Sequence, residues 1–202
     1  MRSAWLMGGG IACAAGLALA TRRPKLAAPL TLAQLRAVMP RLTEDKARGY
    51  LAPLVAAMQE AEITTVPRVA AFLAQLAHES GELRYWEELA SGDAYEGRKD
   101  LGNTQPGDGR RYKGRGPIQL TGRTNYRTAG KALGVPLEEQ PELAARPEYG
   151  FRVAGWYWTS RRLNVLADAM DFIGVTKLIN GGTNGLDDRQ RYFGRALEVL
   201  GG

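Results

Sequence analysis

The 202-residue chain contains one cysteine, Cys13, and one histidine, His78. A single cysteine excludes a disulfide within the chain, and a single histidine excludes the Cys/His sets that hold structural zinc. The sequence HESGE, which begins at His78, also lacks the second histidine of a zinc-protease motif, because Glu82 stands there. We therefore expect a protein that uses no metal ion and no cofactor.

Acidic residues are outnumbered by basic ones, 21 to 27, which gives a net charge of +6. Such a surface is attracted to polyanions such as nucleic acid, anionic lipid or an anionic cell wall. The basic residues come mostly in short pairs without a nucleic-acid-binding motif, so no nucleic-acid partner is expected. Hydrophobic residues make up 45% and charged residues 24% of the chain, which is typical of a folded globular domain; we expect a monomer.

The N-terminus carries the one long uncharged stretch, Ser3 to Thr21, between Arg2 and a cationic group ending at Lys25. This pattern is typical of an export or anchor segment. A cleaved signal peptide, an uncleaved membrane anchor and a lipoprotein acylated at Cys13 remain open. We assign residues 1–25 to this segment, with residues 4–20 in transient contact with the inner membrane, and residues 26–202 to a domain exported to the periplasm or cell wall.

Helical periodicity dominates the rest of the chain. Thr31, Thr43 and Thr65 are suitable N-caps for three successive helices, the third of which runs to about Ser80. Helical patterns return near residues 125–133, 148–160, 171–179 and 187–200. The glycine-rich stretch from residue 92 to residue 116 predicts an irregular surface with a short hairpin at its edges. The sequence therefore predicts a mainly α domain.

A carboxylate interrupts the apolar face of the third predicted helix. Val69, Phe72, Leu73 and Leu76 follow the i, i+3, i+4, i+7 pattern, and Glu79 falls on the same stripe. A carboxyl group in apolar surroundings at the C-terminal end of a helix is expected to favour its protonated form, as a general acid requires.

The spacing alone leaves a second interpretation of Glu79. The helix could end at Ala77, and Glu79 would then face solvent or pair with an arginine such as Arg84. His78 points to another face of the helix, so we predict a supporting, hydrogen-bonding role for it.

Glycoside hydrolysis with inversion needs a second carboxylate about 6.5 to 9.5 Å from the first, with room for a water between them. Sequence proximity does not rank the candidates, which are Glu82, Glu87, Glu88, Asp93 and Glu96.

Three motifs in order, AFLAQLAHESGELRYWEE at 71–88, YKGRGPIQLTGRTNY at 112–126 and TKLINGGTNGLDDR at 176–189, resemble glycoside hydrolase family 19, in its endolysin-like branch. That family comprises chitinases and phage or bacterial muramidases. The resemblance covers residues 30–202 and implies a lysozyme-like α+β fold, mainly α, with a small glycine-rich loop or hairpin region beside the active-site cleft.

The resemblance also implies roles for individual residues. Glu79 matches the general acid, and Glu88, nine residues later, matches the second carboxylate of the endolysin branch. Plant chitinases of the family place the base further along, and by that rule Glu96 is the candidate. Five further positions match substrate- or water-binding residues of the family: Gln119, Thr121, Asn125, Asn180 and Arg189.

The chain departs from plant-type chitinases of the family, which carry several disulfides and a threonine where this chain has Gly81. We therefore predict an endolysin that cuts peptidoglycan between N-acetylmuramic acid and N-acetylglucosamine and lyses the host cell. The weak, glycine-rich N-terminal span predicts a signal-arrest-release segment. The alternatives are a chitinase, a lytic transglycosylase and a wall-binding module without catalysis.

Overall fold

The computed structural model describes Leu26 and residues 28–201. Nine α-helices make up most of this part of the chain, and no strand longer than an isolated bridge occurs in it. The mainly α fold is therefore confirmed. The helices are α1 (Leu32–Val38), α2 (Glu44–Glu60), α3 (Val66–Glu79), α4 (Asp108–Arg111), α5 (Arg123–Leu133), α6 (Pro147–Ser160), α7 (Leu163–Asp168), α8 (Phe172–Asn180) and α9 (Leu186–Leu200).

The predicted caps begin the first three helices. Thr31 forms a capping box with Gln34, in which each residue's side chain accepts a hydrogen bond from the other's backbone N–H. Thr65 accepts from the backbone N–H of Arg68, and a proline occupies the first turn of α3. Thr43 stands at the N-cap position of α2, although its side chain makes no capping bond there. Local sequence therefore sets where these helices start.

Two details of the sequence-based fold prediction change. The predicted hairpin is reduced to isolated antiparallel bridges that pair Arg115 with Glu87 and with Leu120. The two shortest helices, α4 and α7, were not predicted, because four and six residues are too few to produce a periodic pattern.

Helix α3 lies at the centre of the core. Its residues from Val69 to Ala77 are all buried, on every face of the helix. A helix that is apolar all round must be surrounded by other elements; α3 packs chiefly against α9, with further contacts to α7 and α8. The end of α3, which carries Glu79, is therefore held rigidly among neighbouring helices.

A smaller apolar cluster lies beneath the loop that precedes α5. It includes Tyr112, Tyr126 and Leu137, and the two tyrosine rings are 5.4 Å apart between centroids. The two tryptophans of α6 divide between the clusters: Trp158 is buried in the main core and Trp156 packs against the smaller cluster. This division agrees with their spacing of two residues, which places them on different faces of the helix.

Glu82 is buried just after α3, with 1% of its surface exposed. Its carboxylate accepts hydrogen bonds from the backbone N–H of Arg41 (2.5 Å), from Arg41 Nε (2.8 Å) and from Tyr192 Oη (2.7 Å). Although burial opposes ionisation, the bonds from Arg41 and Tyr192 lower the pKa of Glu82. This residue therefore ties the segment between α1 and α2 to α9 and belongs to the scaffold.

We expect Glu82→Gln to destabilise the fold by about 1–3 kcal/mol at pH 7, because an amide NH₂ would face buried donors. Since the pKa of Glu82 is lowered in the folded state, the wild-type contribution exists above the ordinary glutamate pKa of about 4.3 and disappears as pH falls through the lower, folded value. Urea unfolding at several pH values measures both effects.

The matched control for this change is Glu60→Gln, which removes a carboxylate from a solvent-exposed pair with Arg152. An exposed pair contributes about 0–1 kcal/mol, so the control should unfold almost like the wild type. Equal destabilisation by both changes, or a Glu82→Gln effect that does not diminish in acid, would contradict the assignment.

Candidate active site

Glu79 is the last residue of α3 and forms an ion pair with Arg189 of α9. Arg189 Nη2 lies 2.6 Å from Glu79 Oε1; the side chain of Arg189 is 3% exposed and that of Glu79 is 26% exposed. Glu79 therefore pairs with an arginine, as the second interpretation allowed, but the helix continues to Glu79 and does not end at Ala77. Arg84 is not its partner, because Arg84 Nε donates to the carbonyl oxygen of Gly81.

Glu79 also lines an apolar cavity, and the walls of this cavity include Leu76, Ile118, Tyr157 and Ile179. Tyr157 donates its hydroxyl proton to the carbonyl oxygen of Ile179 (3.1 Å), and burial together with the negative charge of Glu79 raises the pKa of Tyr157. Glu79 is thus held between a buried cation and an apolar wall, which agrees with its predicted position on the apolar stripe.

Two further buried polar residues support the ion pair: Gln75 contacts Arg189 directly, and Thr176 contacts Gln75. Gln75 Oε1 accepts a short hydrogen bond from Arg189 Nη1, and Gln75 Nε2 donates to Thr176 Oγ1 of α8 (3.0 Å). Neither residue was predicted as part of the site. The sequence signal for Gln75 was its position, one helical turn before Glu79 inside an otherwise apolar run.

His78 connects α3 to the loop before α9. Its Nδ1 lies 2.7 Å from Asp188 Oδ2, and a side chain at Gly185 would meet the imidazole ring at 2.4 Å. Burial opposes ionisation of Asp188, but the hydrogen bonds from His78 and Arg191 outweigh burial and lower the pKa of Asp188. These contacts are consistent with the supporting, hydrogen-bonding role predicted for His78.

Glu88 lies on the irregular chain after α3 and is partly buried. Its carboxylate accepts hydrogen bonds from Tyr95 Oη and from the backbone N–H of Gly114, both at 3.0 Å. Burial and the negative charge of Glu88 raise the pKa of Tyr95. A Cβ atom at Gly114 would lie 2.7 Å from Gln119 Oε1 and 3.2 Å from Glu88 Oε2, so both side chains lie close to this glycine.

Glu96, the alternative second carboxylate, has a structural position. Its two carboxylate oxygens accept the backbone N–H groups of Gly107 (2.7 Å) and Gly109 (2.8 Å) at the start of α4. Both oxygens are therefore used to fix the glycine-rich loop.

The remaining candidates are also engaged with the protein. Glu82 is buried in the scaffold pair described above, Asp93 pairs with Arg110, and Glu87 is exposed and pairs with Lys113 (3.0 Å). Glu88 and Gln119 both lie close to Gly114, and Ile118, the residue before Gln119, lines the same cavity as Glu79. The role of Glu88 as the second carboxylate stays a prediction.

Gln119, Thr121 and Asn125 form a hydrogen-bonded series. Thr121 Oγ1 donates to the carbonyl oxygen of Gln119 (2.9 Å), and Asn125 Nδ2 donates to the carbonyl oxygen of Thr121 (2.7 Å). Gln119 has a φ of 54°, in the left-handed region, and its Nε2 donates to Gly116. The structure therefore brings these three residues together, and their roles in binding substrate or water stay predictions.

Asn180 closes the loop after α8. It accepts from the backbone N–H of Gly182 and donates to the carbonyl oxygen of Asn184, both at 2.8 Å. Arg189 Nε donates to the same carbonyl of Asn184 (3.3 Å). Asn180 thus shapes the loop that supports Arg189, and its role in binding substrate stays a prediction.

Two features are absent from the described residues, Leu26 and 28–201. No group of three or more His, Cys, Asp and Glu side chains there is arranged to hold a metal ion. No helix in the same part of the chain is long and apolar enough to cross a membrane. The predicted signal or anchor segment and Cys13 lie outside the described residues.

Known proteins resemble this chain in sequence. A model of glycoside hydrolase family 19, described as chitinase class I, matches residues 53–175. An endochitinase of Arabidopsis thaliana is 44% identical over 140 residues, 66% of this chain and 48% of the plant protein. A glycosyl hydrolase family 19 domain-containing protein of Haemophilus influenzae is 30% identical over 183 residues, 75% of this chain and 89% of that protein. The chain spans less than half the length of two Arabidopsis thaliana endochitinases that are each 44% identical to it over the matched residues.

Solved structures share the fold. Chitinase C from Streptomyces griseus is 26% identical and superposes with a TM-score of 0.70 over 85% of this chain and 76% of that one. A bacterial family 19 chitinase is 25% identical, with a TM-score of 0.71 over 86% of this chain and 96% of the other.

Proposed function

The chain belongs to glycoside hydrolase family 19, and we propose that it hydrolyses a glycan of N-acetylated hexosamines with Glu79 as general acid and Glu88 as second carboxylate. The observation that carries this proposal is the position of Glu79, between the buried Arg189 and an apolar wall. Two things support Glu88 as the second carboxylate: its motif position nine residues after Glu79, and its place close to Gly114 and Gln119.

The ion pair defines which oxygen of Glu79 carries the proton. Arg189 donates to Oε1, so a transferable proton must sit on Oε2. Transfer of this proton to the leaving glycosidic oxygen creates a carboxylate directly beside the guanidinium. Arg189 therefore stabilises the charge that develops in the transition state, which lowers the barrier to bond cleavage.

The second half of the reaction needs a water on the opposite face of the sugar. Glu88 would accept a proton from this water as general base. The hydroxyl of Thr121 already donates to Gln119, so its lone pairs are available to accept a hydrogen bond from the same water. Gln119 and Asn125 would bind the sugar alongside.

For the substrate we propose peptidoglycan, cut between N-acetylmuramic acid and N-acetylglucosamine. Three observations support it: the net charge of +6, which favours an anionic wall, the export-like N-terminus, and the match to most of a bacterial family member. Chitin is the second candidate, because the named plant relatives and the solved bacterial relatives are chitinases. A lytic transglycosylase remains a third outcome.

Digestion of purified peptidoglycan and of soluble chitin oligomers, with products identified by mass spectrometry, tests this choice. We expect free reducing N-acetylmuramic acid ends from peptidoglycan. Equal or faster cleavage of chitin oligomers would establish a chitinase, and anhydro-muramic ends would establish a transglycosylase. Binding to peptidoglycan without any cleavage would leave only a wall-binding module.

For the cellular role we propose an endolysin that lyses its host cell after a signal-arrest-release step. The weakly apolar, glycine-rich segment before Arg22 would tether the enzyme to the inner membrane until it is released to the periplasm. Collapsing the membrane potential of expressing cells should release full-length protein and start lysis. Protein that stays in the membrane fraction, or that is found only without residues 1–20, would refute the release step.

A further inference from the structure

A buried line of polar side chains runs from α8 to Glu79. Thr176, Gln75 and Arg189 are each at least nine-tenths buried, with 0%, 2% and 2% of their surfaces exposed. Thr176 accepts from Gln75, Gln75 accepts from Arg189, and Arg189 donates to Glu79. Three helices, α8, α3 and α9, thus each contribute one member to a continuous chain that ends on the proposed acid.

The donors and acceptors in this line allow one orientation of the Gln75 amide. A guanidinium offers only donors, so Gln75 must turn Oε1 toward Arg189. The amide nitrogen then points the other way, in the buried interior, where an unpaired N–H group is costly. Thr176 Oγ1 is the acceptor that satisfies it.

Because the Gln75 amide is uncharged, it leaves the positive charge of Arg189 available to Glu79. An amide oxygen accepts a hydrogen bond from Arg189 without neutralising its positive charge. A carboxylate of the same shape at this position would compete with Glu79 for the guanidinium. Gln75 therefore holds Arg189 in position and leaves its charge directed at Glu79.

We propose that Gln75 and Thr176 are positioning residues that set the proton affinity of Glu79 through Arg189. The inference rests on the proposed role of Glu79 as the acid, and it adds two residues that lie within the first and third motifs but to which the family resemblance assigned no role. Neither residue contacts the substrate; each acts through the next member of the line.

Other charged groups around Glu79 must be considered in any test based on pH. Arg189 and Asp188 come from α9, Tyr157 from α6 and His78 from the same helix as Glu79, and Glu88 follows on the next loop. A substitution at Gln75 changes none of these groups. A shift in titration after Gln75→Glu combines the loss of Arg189 with direct repulsion between the new charge and Glu79. The Thr176 variants add no charge and therefore test the line separately.

The first test is Gln75→Glu, because glutamate has nearly the same shape as glutamine but carries a negative charge. With ¹³C-labelled glutamate, the titration of Glu79 can be followed by NMR and assigned in each background through the signal that Glu79→Gln removes. We expect the midpoint of Glu79 to rise by about one pH unit, since Arg189 would be shared between two carboxylates. A midpoint within about 0.3 pH unit of the wild type would overturn the proposal.

Two substitutions of Thr176 form a matched pair of variants. Their result does not depend on whether the Gln75→Glu protein folds. Thr176→Ser retains the hydroxyl and should keep kcat and KM within about twofold of the wild type, whereas Thr176→Val should lower kcat about fivefold or more at unchanged KM. Equal kcat values for the two variants would overturn the proposal. If the wild type cleaves neither glycan, the proposed function fails, but the NMR titration still tests the line.

Discussion

Replacement of Glu79 by glutamine is expected to lower kcat for glycan cleavage by about 10³-fold, since general acid catalysis contributes on the order of 10²–10⁴. The amide oxygen can still accept the hydrogen bond from Arg189, but no proton can be transferred from it to the leaving oxygen. Glu79→Asp keeps the charge and shortens the reach, so an intermediate loss is expected. Reducing-end assays on whichever glycan the wild type cleaves provide the measurement.

The control for Glu79→Gln is Glu142→Gln, which changes an exposed carboxylate in the short 3₁₀ helix Pro141–Ala145. It should behave as the wild type in both activity and thermal unfolding. Because Glu79→Gln leaves the buried Arg189 without its counter-charge, its unfolding temperature must be measured too. A folded Glu79→Gln protein that retains full cleavage would move the active site elsewhere.

Replacement of Glu88 by glutamine is expected to lower kcat by about 10²-fold or more, because the attacking water would lose its general base. The fold should be little affected, since the amide oxygen of glutamine can accept from the backbone N–H of Gly114 and the hydroxyl of Tyr95 can turn to accept from the new NH₂ group. Single-turnover kinetics on oligosaccharides of defined length separate this chemical step from substrate binding.

Two neighbouring carboxylates give the control for Glu88. Glu87→Gln removes an exposed partner of Lys113 and should retain most activity. Glu96→Gln should destabilise the glycine-rich loop, because its two oxygens bind backbone N–H groups there, without the kinetic signature of a lost base. A greater loss of kcat in a stable Glu96→Gln protein than in Glu88→Gln would transfer the role of base to Glu96. Nearly full activity in Glu88→Gln, with anhydro-muramic products, would favour a transglycosylase.

Local sequence predicted the helices well because their signals are local. Threonine caps, a proline in the first turn and 3.6-residue periodicity locate α1, α2 and α3, whose formation depends on interactions within a few residues. The hairpin was overestimated because glycine-rich segments carry turn signals without defining how far the flanking residues pair.

By itself, the sequence determined a mainly α domain, placed Glu79 on the apolar stripe of α3, and through three motifs indicated the family. It did not determine the partner of Glu79, since Arg189 is 110 residues away and no local pattern links the two. Only the tertiary structure brought α3, α8 and α9 together and buried Gln75 and Thr176 behind that ion pair. The physical reason is that charge pairing and burial depend on which surfaces meet when the helices pack.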